Sequence, residues 1–132
     1  MFKAIICDIQ GVLVKNDKLN ENLINFLIEN KENYGILLLH TNLSKKSVQN
    51  LKKIFSGLLN SVDKIYTYDD VKYPKPDIKG FEQILKEWNL QPSEVIFIDD
   101  SVLNITSASS LGLETVHYGD FGEISELKNL LF

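Results

Sequence analysis

Continuous apolar runs alternate along this chain with stretches in which apolar residues recur at three- and four-residue spacing. Residues 2–9 carry charge only at Lys3 and Asp8, and such a run suits a strand covered on both faces. A loop or short hairpin over 12–19 follows. Leu19, Leu23, Phe26 and Leu27 then predict a helix over 20–33, with Asn20 as its N-cap and an end near Gly35. Ile36 to His40 is a second buried-strand signal, broken by Thr41-Asn42. Ser44 caps a helix whose apolar stripe is Val48, Leu51, Ile54 and Phe55. Residues 64–68 read as a third strand. Tyr73-Pro74-Lys75-Pro76 resists helix formation, because proline forces the residue before it into an extended conformation, and so holds Lys75 in a stiff loop.

From Asp77 onward, Ile78, Phe81, Ile84, Leu85 and Trp88 describe another amphipathic helix. Val95 to Ile98 is a fourth strand running into Asp99-Asp100-Ser101. A helix over 102–111 stops at Gly112, a fifth strand covers 114–118, and a closing helix covers 123–131. Strands alternating with helices predict an α/β fold, a parallel sheet of about five strands with helices on both faces, in one domain over 1–132. Right-handed crossovers bring the C-terminal ends of the strands to one edge. Asp8, Thr41-Asn42, Lys75 and Asp99-Asp100 all fall there.

Composition narrows this picture without changing it. A chain of 132 residues with 44% hydrophobic and 24% charged positions is ordinary for a globular domain. The net charge of −4, with both signs interspersed, gives no nucleic-acid signature, so an anionic ligand must be held by local groups. Cys7 is the single cysteine, and the N-terminus lacks signal-peptide character, which points to the cytoplasm and away from a membrane.

Each polar residue at the strand edge has a bland explanation as a cap, turn former or solvated side chain. Their convergence is more informative. Three carboxylates at one edge repel unless a cation lies between them, and hard oxygen ligands of this kind select Mg²⁺, often shared with a phosphate. A lysine, a threonine hydroxyl and backbone N–H groups nearby suit a phosphoryl group. Cys7 reads as a core thiol, His40 as a strand-end histidine satisfied by backbone, and His117 and Trp88 as structural.

Four stretches in order, Asp8-Ile9-Gln10-Gly11-Val12-Leu13, Thr41 after an apolar strand, Lys75-Pro76-Asp77, and Ile98-Asp99-Asp100-Ser101 followed by Asn104 and Leu111-Gly112, resemble the haloacid dehalogenase-like (HAD) hydrolase superfamily. The resemblance covers 2–118 and implies a HAD-like Rossmannoid three-layer α/β/α fold. It also implies Asp8 as a nucleophile forming an aspartyl-phosphate, Lys75 as the neutralising cation, and Gly11, Thr41 and Asn42 as phosphoryl-binding residues. Mg²⁺ would be held by Asp8, the main-chain carbonyl of Gln10, Asp99 and Asp100.

In that family's phosphatases the second residue after the nucleophile is an aspartic acid acting as general acid and base. Here it is Gln10, and losing such a group costs about 10²- to 10⁴-fold in rate. One helix and one strand fill the chain between Asp8 and Thr41, and the next gap is as short, so no cap domain is expected. An open site suits a large substrate, a partner protein, or a homo-oligomer that supplies the lid; the phosphorylated substrate itself is a small molecule or a macromolecule. The resulting expectation is a weak Mg²⁺-dependent phosphatase-like hydrolase, with a phosphate-binding pseudoenzyme as the alternative. A phosphorelay receiver fits less well, because its acid pair belongs at the first strand, and a dehalogenase would need an enclosed apolar pocket.

Overall fold

The first strand, β1 (Ala4–Cys7), is fully buried and delivers Asp8 one residue past its end. The computed structural model describes residues 1–52, 56–119 and 124–132. After β1 the chain forms a small hairpin, β2 (Val14–Lys15) and β3 (Lys18–Leu19), then α1 (Glu21–Glu29) and α2 (Lys31–Tyr34). These lead to β4 (Ile36–His40), α3 (Lys45–Leu51), α4 (Ser56–Leu59) and β5 (Lys64–Tyr66). The second half runs α5 (Ile78–Glu87), a 3₁₀ turn at Pro92–Glu94, β6 (Val95–Asp99), α6 (Val102–Leu111), β7 (Glu114–His117) and α7 (Ser125–Leu131).

The sheet order is β5-β4-β1-β6-β7 and every pairing is parallel. The chain moves outward from β1 to β4 and β5, then returns to β6 on the other side of β1. The order therefore reverses at β1/β6, and the crevice outside the strand ends at such a reversal is where open α/β sheets bind ligands. Asp8 and Asp99 stand on either side of it.

Alternation along each strand divides the core into two layers. Ile5, Cys7, Leu37, Leu39, Ile96 and Ile98 face Leu23 and Leu27 of α1 and Leu127 of α7. Ala4, Ile6, Leu38 and Phe97 face Phe81 and Ile84 of α5 and Ala108 of α6. This is the expected three-layer arrangement, and among the described residues no inserted domain lies between β1 and α1 or between β5 and α5.

The helix expected over 20–33 is two helices. Asn30 ends the first with φ −109°, its backbone N–H bonding to Ile28 and Phe26 carbonyls and its side-chain amide donating to the Phe26 carbonyl at 2.9 Å. An asparagine that captures its own helix's carbonyls ends the helix before the apolar pattern does. The Asn20 cap accepts from the Leu23 N–H and donates to the Val12 carbonyl, so the start of α1 is tied to the loop after Asp8. Strand β5 stops at Tyr66, two residues early, where Asp70 accepts from both the N–H and the hydroxyl of Thr67 at 2.9 Å and turns the chain. Ile54, Phe55 and the first residue of the expected closing helix lie outside the described residues.

Candidate active site

Lys75 organises the strand edge. Its side chain is 1% exposed, and its Nζ lies 3.0 Å from Asp8 Oδ1 and 2.7 Å from Asp99 Oδ2. Two carboxylates that would otherwise repel each other thus share one cation. Asp99, fully buried, is held further by the Ser101 N–H at 2.9 Å on Oδ1 and the Asn104 amide at 3.1 Å on Oδ2. Asn104 of the last motif thus has a positioning role toward Asp99. The helical phase of α6, one turn past its Ser101 cap, is what aims it back at Asp99.

Asn42 grips the Lys75 backbone from both sides. Its Nδ2 donates to the Lys75 carbonyl at 2.9 Å and its Oδ1 accepts from the Lys75 N–H at 3.0 Å. This side chain therefore joins the end of β4 to the Lys75 loop, whose Lys75–Pro76 peptide is cis. Thr41, buried beside it, accepts from the Leu43 N–H through Oγ1 at 3.1 Å, an arrangement that leaves the hydroxyl hydrogen to donate. Asp8, Gln10, Thr41, Asn42, Leu43, Lys75 and Asn104 line one cavity of about 230 Å³. A larger cavity, about 760 Å³, lies between α1 and α7 and contains none of these residues.

Asp8, Asp99 and Asp100 each bring a carboxylate oxygen within 4.8 Å of the others. This all-oxygen set fits a hard divalent cation. Gly11 makes room for it: with φ +86°, a Cβ built there would stand 2.2 Å from Asp100 Oδ2. Gly11→Ala is therefore expected to displace the Asp100 carboxylate and to strain the backbone by about 1–3 kcal/mol. Calorimetric titration should show Mg²⁺ affinity reduced about 10- to 100-fold, with a lower melting temperature.

Burial pushes the Asp8 carboxyl up to about 7, with Asp99 adding to the rise and Lys75 opposing it. Burial also raises Asp100, reinforced by its bond to Asp99 and its charge. A bound cation would reverse this pressure by favouring the charged forms. Cys7 is buried, its thiol raised by burial, with Sγ donating to the Asp8 carbonyl at 3.3 Å, in keeping with a packing role.

Of the two histidines, His40 differs from expectation. His40 is fully buried, and neither ring nitrogen has a hydrogen-bond partner among the described residues, so it is not satisfied by backbone. It packs edge-on to Phe81 at 5.3 Å, and burial, with Lys75 adding, lowers it to about 3, which keeps it neutral. His117 places Nε2 2.9 Å from the Asp100 carbonyl and thereby braces the Asp99-Asp100 turn. That contact crosses from β7 to the end of β6 and has no local signature.

A parallel sheet with a lysine-bridged carboxylate pair and a third acid at its reversal point defines a Rossmann-like protein with an acidic cluster that could hold a cation. The chain belongs to the haloacid dehalogenase-like hydrolase family, whose model matches residues 2–112. It is 29% identical over 85 residues to the pyrophosphatase PpaX of Bacillus velezensis, covering 64% of this chain and 38% of that protein. It is 33% identical over 58 residues to a sesquiterpene phosphatase of Aspergillus oryzae, covering 43% and 30%. The chain thus spans well under half the length of these curated relatives.

Among solved structures, an uncharacterized Corynebacterium glutamicum protein is similar at TM-score 0.81 and 24% identity, over 99% of this chain and 96% of that one. A HAD family enzyme of Bacteroides thetaiotaomicron, crystallised with magnesium and inorganic phosphate, is similar at TM-score 0.83 and 15% identity, over 96% and 99%. These two likenesses show the fold. No helix of the described residues is long and apolar enough to cross a membrane.

Proposed function

We propose that this chain is a Mg²⁺-dependent, phosphatase-like hydrolase acting through an aspartyl-phosphate on Asp8. The observation that carries the reading is Asp8 itself: a buried carboxylate held by Lys75 at 3.0 Å, beside two further acids, and facing the cavity that Thr41 and Gln10 line. Asp8 attacks phosphorus through a carboxylate oxygen, which divides one difficult displacement into two easier ones. Lys75 offsets charge on the nucleophile and the transferring group, and the Thr41 hydroxyl donates to a phosphoryl oxygen. Asp8, Asp99, Asp100 and the Gln10 carbonyl would hold Mg²⁺, which would supply charge neutralisation for the carboxylates and the phosphoryl group.

Gln10 is exposed at the cavity mouth, where its amide can orient a water or a leaving oxygen but cannot exchange a proton. Turnover is therefore slow. The same residue favours the second reading, a pseudoenzyme that binds phosphate or a phosphorylated partner without hydrolysing it. With no inserted domain over the site among the described residues, it would accept a bulky phosphorylated substrate or the lid of a second subunit. The names of the pyrophosphatase and sesquiterpene phosphatase relatives support phosphate esters and anhydrides as the substrate class.

Hydrolysis of p-nitrophenyl phosphate separates the two readings. The expected result is slow turnover that requires Mg²⁺ and disappears with a chelator. Wild-type protein with no turnover, together with activity in Gln10→Asp, would support the pseudoenzyme instead.

A further inference from the structure

We infer that the site is restricted to phosphoryl donors whose leaving group departs as a stable anion, namely acyl phosphates, phosphoanhydrides and aryl phosphates, and that alkyl phosphate monoesters are poor substrates. The inference rests on the Asp8 phosphatase reading and deepens it. Its basis is the lining of the cavity: of Asp8, Gln10, Thr41, Asn42, Leu43, Lys75 and Asn104, only Asp8 and Lys75 are acidic or basic side chains. Neither can serve the leaving group. Asp8 is the attacking atom's own residue, and Lys75, 1% exposed, is engaged by Asp8 and Asp99 at once.

The other acidic and histidine side chains near the strand edge are not among the residues that line the cavity. Asp100 packs against Gly11 and belongs to the acidic cluster. His40 is sealed beneath the edge against Phe81, and His117 is bonded to the Asp100 carbonyl. Gln10 and Asn42 are the exposed residues of the lining; the Asn42 amide is engaged by the Lys75 backbone, and the Gln10 amide can donate a hydrogen bond to a departing oxygen but not transfer a proton.

The balance of the first step follows. An Asp8 oxygen forms the new bond to phosphorus, the bond from phosphorus to the leaving oxygen breaks, and its electron pair stays on that oxygen. With no proton delivered, the rate depends on how well the leaving group bears the charge. A carboxylate, with pKa about 4, or a phenol, with pKa about 10, leaves far more readily than an alkoxide, whose parent alcohol resembles water at about 15.7. In the second step a water oxygen bonds to phosphorus, the acyl-phosphate bond returns its electron pair to Asp8, and the water's proton passes to solvent or to the released phosphate. No side chain of the cavity other than the phosphorylated Asp8 can take that proton, so phospho-enzyme accumulates.

The test follows Asp8 phosphorylation by intact mass, and leaving-group release in the first turnover, in Mg²⁺. The donors are acetyl phosphate, p-nitrophenyl phosphate, phenyl phosphate and glycerol phosphate. The expected result is a burst approaching one leaving group per chain with the activated donors and a rate about 10²- to 10⁴-fold lower with glycerol phosphate. Gln10→Asp should raise the glycerol phosphate rate by a similar factor while changing the acetyl phosphate rate only a few-fold. Equal wild-type rates across the series, or a Gln10→Asp gain shared equally by all donors, would overturn the inference and leave the Asp8 mechanism standing. A chain that gains no phosphoryl mass from any donor, acetyl phosphate included, overturns the phosphatase reading and this inference with it. The wild-type series alone decides the point if the variant does not fold.

Discussion

Asp8→Asn is expected to reduce phosphatase turnover on the order of 10⁴- to 10⁶-fold, as removal of a nucleophile does in other covalent catalysts, and at the same time to stabilise the metal-free protein. The two effects have one cause. Asp8 is buried where a carboxylate is poorly solvated, and its carboxyl is raised from 3.8 to about 7 in the folded chain. Between those values the folded protein binds more protons than the unfolded one, so stability falls as pH rises from about 4 towards 7. Asparagine mimics the protonated acid. The gain in melting temperature for Asp8→Asn should therefore be near zero at pH 4 and several degrees at pH 7.5. Mg²⁺ should narrow the difference, because a cation favours the charged wild-type carboxylate. Thermal melts at the two pH values, with and without Mg²⁺, measure this; a variant less stable than wild type at pH 7.5 without metal would contradict it.

Lys75→Met should have the opposite effect on stability. It removes the one ammonium that Asp8 and Asp99 share and leaves both carboxylates buried. Breaking a buried ion pair by deleting one partner costs about 3–5 kcal/mol, which for a chain of this size lowers the melting temperature by on the order of 10 °C. The apolar stem fits the surroundings, since Nζ already sits 5.6 Å from the Phe97 ring centroid. The defect is thus chiefly one of charge. Mg²⁺ should then stabilise Lys75→Met more than it stabilises wild type, and turnover should fall with it. A melting temperature within a degree or two of wild type in the absence of metal would show that Lys75 does not hold the two acids together.

The layout of the sheet was legible because buried parallel strands read as unbroken apolar runs, and the residue after each run is placed at one edge by topology alone. Asp8, Thr41 and Asp99 could be located in this way. Lys75 could be placed in a stiff loop by its flanking prolines, but the partners that fix its position could not. Asn42 lies 33 residues away in sequence from the backbone it clamps, and His117 reaches the Asp100 carbonyl across a strand pair. Contacts of this kind depend on side-chain direction in the assembled fold. The break at Asn30 was hidden for a different reason: the apolar period continues through it, while the local competition for Phe26 and Ile28 carbonyls decides where the helix stops. His40 shows the reverse case, a polar residue whose local setting suggested a backbone partner that the packing around Phe81 does not supply.

The most direct test of the account is a crystal structure of the chain grown with Mg²⁺ and beryllofluoride, a mimic of a phosphoryl group bonded to a carboxylate. The account predicts beryllium bonded to an Asp8 carboxylate oxygen, fluorines within reach of Thr41 and Lys75, and a cation among Asp8, Asp99 and Asp100. A cation in that position with Asp8 unmodified and the fluoride complex held elsewhere, or absent, would contradict Asp8 as the phosphoryl acceptor.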